Sequence, residues 1–316
     1  MTVPGQSRPT VTHVPPVIDY EGSRYRTEFW EGQGRNYEDA TERLALQRLL
    51  PPTGCRIAEI GAGFGRLADL YLGYDQIVLF DYSRSLLQEA VERWGHAPRF
   101  VFVAGNIYQL SLAKASLDTV VMVRVMHHLA DVPQALAQIR RVLQPEGVAL
   151  VEYANKRNLK ALARWGLGRQ TWSPMDPAPV EFVELNFDFH PAWMWEQFQQ
   201  ARLAVRQQYA VSHFRLPLLK RAVPAARLAQ LDSWLFRVGG RYPLSPSVFV
   251  QLQGVVEEAA PALDRHAAIT DLFCCPVCSG DRTFDLVEEN TLICRSCHTR
   301  YGRRAGIWDF KEPVDG

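Results

Sequence analysis

The chain has 316 residues, 47% hydrophobic and 22% charged, a composition that fits one full-size globular domain with room for a smaller companion. Its 35 Lys and Arg against 34 Asp and Glu leave a net charge of +1, which excludes a whole-chain argument for nucleic acid or anionic membrane binding. No window approaches the ~18 uninterrupted apolar residues of a membrane span, and the opening MTVPGQSRPTVTHVPPV lacks a basic-then-apolar signal, so the expected location is cytoplasmic.

That opening reads as a loose Pro-rich leader. The stretch from Tyr25 to Asp39 is too broken by glycine for a long helix and too aromatic for a linker, so residues 1–40 are read as a leader and a lid over a pocket. A helical pattern runs from Ala40 to Leu50 and stops at Pro51 and Pro52.

Strands and helices then alternate. RIAEIG (56–61) is an apolar strand ending in glycine, followed by a predicted helix carrying Leu67, Leu70 and Tyr71. QIVLFD (76–81) is a second strand, and Ser83 is placed to cap a helix whose Leu86, Leu87, Ala90, Val91 and Trp94 share a face. RFVFVAG (99–105) and LDTVVMVRV (117–125) are the third and fourth strands. Asp131 caps a helix bearing Val132, Leu136, Ile139 and Leu143, and GVALVEY (147–153) is the fifth strand. LAVRQQYAV, ending near Val211, and SPSVFVQLQ (245–253) read as late strands, with a helix between Pro224 and Phe236. Nearly continuous apolar strands are buried on both faces, so the expected fold is α/β, with a doubly wound sheet, helices on both faces and ligands at the strands' carboxyl ends.

The loop Glu59-Ile60-Gly61-Ala62-Gly63-Phe64-Gly65-Arg66 lets backbone approach a ligand closely. Arg66 stands where a dinucleotide fingerprint wants a small residue, which disfavours a nicotinamide oxidoreductase. Asp81 ends the second strand twenty residues after Gly61, where a carboxylate can accept both ribose hydroxyls.

With AEIGAGFGRL, VLFDYS, FVAGNIYQL and LDTVVMVRVMHHLADVPQALAQIRRVLQPEGVALVEY in this order over residues 56–153, the chain resembles the class I S-adenosylmethionine-dependent methyltransferases, in particular the quinone-biosynthesis branch. The resemblance implies a Rossmann-like seven-stranded sheet whose last two strands pair antiparallel. It implies S-adenosylmethionine as cofactor and S-adenosylhomocysteine as product. It further implies that Gly61, Gly63 and Gly65 line the methionine part, that Glu59 supports their loop, and that Asp81 binds the ribose. Tyr82 would border the adenine, Asn106 and Ile107 would cover its amino edge, and Arg124 and His128 would close under the sulfonium. Asn106 departs from the family's usual Asp.

Methyl transfer needs alignment and a dry pocket, and a base only for a weakly acidic acceptor. Candidates for that base are His128, Asp188 and His190. Around the last two, Phe182, Phe187, Phe189, Trp193 and Trp195 would either stack on a flat acceptor or form the core of an added subdomain. Five basic residues without an acid fall between Lys156 and Arg169, and six opposed only by Asp232 fall between Arg215 and Arg241. LPLLKRAVPAARLAQLDSWLF is amphipathic enough for weak contact with a membrane surface.

Cys275-x-x-Cys278 and Cys294-x-x-Cys297, fifteen residues apart, place four thiolates around one tetrahedral ion with a hairpin between, a strong signal for structural zinc. Together with Tyr301 and GIWDF (306–310), the segment from 271 to 310 resembles the small zinc-ribbon activators that partner tRNA and release-factor methyltransferases. The domains expected are the leader and lid (1–40), a methyltransferase domain (41–255) with acceptor-pocket insertions about 154–200 and 214–244, and a zinc ribbon (268–316). The sequence favours a small aromatic or lipid-like acceptor. RNA or protein docked by the ribbon is the alternative, and a non-catalytic cofactor-binding scaffold is the second.

Overall fold

The computed structural model describes residues 14–255, 263–265 and 267–314. The expected leader lies mostly outside them. The first residues described, from Val14, lead to a single π-helical turn, Arg26–Trp30, and then to α1, Asn36–Leu49.

Seven strands form the central sheet: β1 (Gly54–Ile60), β2 (Tyr74–Asp81), β3 (Phe100–Ala104), β4 (Leu117–Met122), β5 (Leu143–Ala154), β8 (Leu203–Val211) and β9 (Ser247–Gly254). Their order is β3-β2-β1-β4-β5-β9-β8. The first five run parallel, and β9 pairs antiparallel with both β5 and β8, as the sequence resemblance implied. All five residues of β3 are buried, which explains an apolar run without alternation. The flanking helices are capped as read: Ser83 Oγ accepts from Leu86 N at the start of α2 (Arg84–Trp94), and Asp131 Oδ1 accepts from Gln134 N at the start of α3 (Val132–Val142).

The remaining helices are α4 (Leu159–Gly166), α5 (Pro191–Gln200), α6 (Pro217–Ala222) and α7 (Ala225–Arg241), and a hairpin of β6 (Val180–Val183) and β7 (Asn186–Asp188) precedes α5. No helix among the described residues is long and apolar enough to cross a membrane.

One expectation is corrected. The predicted helix after the glycine loop is only a short 3-10 turn, Ala68–Tyr71. The chain enters it through left-handed Gly61, Gly63 and Gly65, and Arg66 then pairs with Asp39 and Glu42 of α1, fixing the segment without a helical ladder. A Cβ on Gly65 would meet the Trp94 ring at 3.0 Å, so close packing also demands glycine there.

The ribbon is present as expected and docks on the edge of the central sheet. Its strands β10 (Phe284–Glu288), β11 (Thr291–Cys294), β12 (Arg300–Arg304) and β13 (Ile307–Asp309) join the central sheet, because β13 pairs parallel with β3. One eleven-stranded sheet results. An unpaired, apolar β3 would be an exposed edge, and β13 covers it. Phe273, Phe284, Tyr301, Trp308 and Phe310 belong to the same buried cluster as β1, β4 and β5, with Phe310 4.9 Å from both Phe273 and Tyr301 between ring centroids.

Candidate cofactor cavity and zinc site

A cavity opens at the carboxyl ends of β1, β2 and β4. Its floor comes from Glu59, Gly61 and Gly63, one side from Asp81, Tyr82, Gly105 and Ile107, and the other from Arg124 and His128. The roof is the chain's own N-terminal segment, through Val17, Ile18, Tyr20, Tyr25 and Trp30.

Asp81 Oδ2 accepts from Gly63 N at 2.7 Å and Oδ1 from Ser83 N at 2.8 Å, which fixes both the loop and the carboxylate while leaving each oxygen a further lone pair. Burial pushes its carboxyl above the ordinary range, against those amide donors. Glu59 is fully enclosed and its Oε2 has no hydrogen-bond partner among the described residues. Burial raises its carboxyl to about 8, with the Arg66 charge only partly opposing. An orphaned acidic oxygen and an anchored carboxylate on one apolar wall suit a ligand with an ammonium at one end and a ribose at the other.

Arg124 adopts a left-handed backbone, φ 64°, held by Glu152 Oε2, which accepts from its N at 3.1 Å. Its guanidinium pairs with Glu42 on α1. Glu42 also accepts from Arg66 at 2.7 Å, and Arg66 lies 3.7 Å from the Trp30 ring centroid. A buried acid therefore ties the floor, the glycine loop and the roof together.

His128 is the one candidate base on the cavity wall. The Leu185 carbonyl accepts from Nδ1 at 3.1 Å, so in the neutral ring Nε2 carries the lone pair, 3.2 Å from the Tyr20 hydroxyl. Burial lowers the pKa of His128 and, more strongly, that of His127 beside it.

Other expected site residues stand elsewhere. Asn106 Oδ1 accepts from Tyr108 N and caps the turn after β3, and Asn106 is not among the residues lining the cavity. Gly65 packs against Trp94 and Leu79. His190 Nδ1 accepts from Ala192 N as the cap of α5, and Asp188 lies on β7; neither lines the cavity. Phe189 is core, stacked 5.3 Å from Trp193, whereas Phe182 and Trp195 are exposed, so that aromatic segment builds a subdomain wall and does not line the cavity. Glu42 was missed because an acid inside a helical pattern carries no sequence signal for what faces it.

The sulfur atoms of Cys275, Cys278, Cys294 and Cys297 all lie within 4.8 Å of one another. Two pairs stand 3.6 Å apart, close to the ~3.8 Å edge of a tetrahedron with zinc–sulfur bonds of about 2.3 Å. The set fits structural zinc, and four thiolates leave no open position for catalysis. Cys274 is buried outside the set.

The profile of a methyltransferase-domain family matches residues 58–151. A probable S-adenosylmethionine-dependent methyltransferase of Mycolicibacterium smegmatis is 34% identical over 200 residues, 63% of this chain and 67% of that protein. The chain belongs to the S-adenosylmethionine-dependent methyltransferases. It is also similar to the demethylmenaquinone methyltransferase of Chlamydia caviae, 30% identical over 105 residues, 32% of this chain and 45% of that protein. Among solved structures, one chain of the complex between the Haloferax volcanii Trm112 methyltransferase activator and a putative methyltransferase superposes with a TM-score of 0.50. It is 21% identical, with 72% of this chain and 95% of that one covered, and it shares the fold.

Proposed function

We propose that this methyltransferase acts on a small aromatic or lipid-like acceptor inside the roofed cavity. The roof carries the reading. Tyr20, Tyr25 and Trp30 line the same cavity as Asp81 and His128, and this aromatic lining suits a flat small molecule better than a folded RNA or protein surface. The similarity to an enzyme named for a quinone acceptor points the same way. The outer face of α7 supports a lipid-like acceptor, since Trp234 and Val238 are 68% and 75% exposed beside Arg237 and Arg241.

In this reading Asp81 accepts the ribose hydroxyls, Tyr82 and Ile107 border the adenine, and Glu59 Oε2 meets the ammonium of the methionine part. The bound cofactor supplies an electrophilic methyl whose departing bond pair stays on sulfur. Arg124 and Trp30 hold the acceptor side of the cavity closed. An acceptor hydroxyl that took the place of the Tyr20 hydroxyl at His128 Nε2 would give its proton there, leaving its oxygen free to receive the methyl group.

Label from methyl-labelled S-adenosylmethionine, incubated with protein and host extract, is expected in an organic-soluble compound; label in RNA or protein would overturn the reading. Replacing His128 by alanine should lower kcat about 100-fold while leaving S-adenosylhomocysteine affinity nearly unchanged. Because burial lowers the pKa of His128, wild-type kcat/KM should fall to half of its plateau only at a pH below 6.5. A half-point above that pH, not the first onset of decline, would count against His128.

Glu59 adds a proton linkage. Its carboxyl is protonated at pH 7 in the folded chain and ionised in the unfolded one, so the ligand-free protein loses stability as pH rises from about 4.5 to about 8. An arriving ammonium favours the carboxylate, so S-adenosylhomocysteine binding at pH 7 should release a proton. Calorimetry in buffers of different ionisation enthalpy reads this directly, and a buffer-independent heat would refute it.

A further inference from the structure

A second cavity, of about 670 Å³, lies between α6 and the start of α1, with Tyr37, Arg215, Lys220 and Arg221 among its lining residues and no carboxylate. Arg215 is its unusual member. Nε and Nη2 are buried from solvent, and neither has a hydrogen-bond partner among the described residues. Arg215 as a whole is half-buried, but two buried N–H donors without partners are costly, because they forfeit water and gain nothing in exchange.

Nearby acids do not relieve it. Glu42 is held by Arg66 and Arg124. Glu152 accepts from the Ser247 hydroxyl at 2.6 Å and from Arg124 N. Glu38 pairs with Lys220 at 2.8 Å. The last, Asp188, is itself pushed up to about 6 by burial and then by Glu152. Burial and the adjacent Arg124 charge both work against the Arg215 cation. Arg124 also lines the cofactor cavity, and Arg215 feels its charge, so the two guanidiniums link the neighbourhoods of the two cavities.

We propose that the cavity around Arg215 receives an oxyanion, a carboxylate or phosphoryl group, carried by the methyl acceptor at the end remote from the methylated atom. The inference rests on the small-molecule reading above and narrows it to acidic acceptors. Two adjacent buried donors on a planar guanidinium match two oxygens of one such group, and Arg221 lines the same cavity as a second cation, whereas Lys220 is already paired with Glu38.

The test uses full-length, zinc-loaded protein titrated with inorganic phosphate and, separately, acetate, at ionic strength held constant with sodium chloride. One of the two should raise the melting temperature saturably, and which one does identifies the group. Arg215→Met should abolish that response, Arg215→Lys should weaken it, and both should bind S-adenosylhomocysteine like wild type. Without added anion, Arg215→Met should melt no lower than wild type, because an unpaired buried charge has been removed. No saturable response, or an undiminished one in Arg215→Met, overturns the proposal. So does a lower melting temperature for that variant, which would make Arg215 a structural residue. The labelled product should be retained on an anion exchanger. A neutral organic-soluble product sinks this inference alone, whereas label in RNA or protein sinks the small-molecule reading and this inference with it.

Discussion

Removing zinc with a chelator, or replacing Cys294 by serine, is expected to lower the melting temperature of the whole chain by about 10 °C or more, beyond any local melting of the ribbon. The reason is the continuity of the sheet. Ile307, Trp308 and Asp309 pair in register with Phe102, Val103 and Ala104, so a ribbon that unfolds strips the partner from a fully buried strand. It also opens the aromatic cluster of Phe273, Phe284, Tyr301 and Phe310, which packs into the main core. S-adenosylhomocysteine affinity should fall as well. Arg84, in the first turn of α2, pairs with Asp309 at 2.7 Å, and Lys311 Nζ lies 3.8 Å from the ring centroid of Tyr82 on the cavity wall. Differential scanning calorimetry with and without chelator decides the matter. Two separate transitions, with the main one unmoved, would show that the ribbon is an independent module.

The legible parts of this molecule were the local ones. Strands buried on both faces announce themselves as apolar runs, and Ser83 and Asp131 cap their helices through contacts three residues away. The cysteine quartet follows from spacing alone, since two knuckles and a hairpin leave little conformational choice. What stayed hidden depends on chain that is distant in sequence. The pairing of β13 with β3 joins residues some two hundred positions apart, and nothing in GIWDF says which edge it will cover. Asn106 Oδ1 satisfies an amide two residues on, a contact that depends on the turn actually adopted. The roof was readable only as an aromatic stretch unsuited to a linker; that it lines the same cavity as Asp81 and His128 required the fold. Arg215 was one basic residue of six in its segment, and what sets it apart is two donors buried without a partner.

Glu42→Gln is expected to cost about 3–5 kcal/mol, or about 10 °C in melting temperature, although the change replaces one oxygen by nitrogen. Glu42 is fully buried and accepts from two guanidiniums, Arg66 and Arg124. The neutral amide would leave both cations without their shared counter-charge, and its NH₂ would face a guanidinium that can only donate. Burial by itself would raise the carboxyl of Glu42, but Arg124 and Arg66 overcome it and hold the pKa below the ordinary value of 4.5. Its stabilisation is therefore complete above pH 4.5 and is lost as pH falls through the lower folded pKa. The difference in melting temperature between wild type and Glu42→Gln should be constant from pH 7 to about 5 and shrink in more acid solution. Because Arg66 stacks on Trp30 and Arg124 lines one side of the cavity, the variant should also bind S-adenosylhomocysteine more weakly. An unchanged melting temperature would mean that water or a rearranged guanidinium replaces the bridge. Arg215 feels the Glu42 charge but is not paired with it, so the two substitutions should move stability in opposite directions: losing the committed acid destabilises the fold, whereas losing the uncommitted base does not.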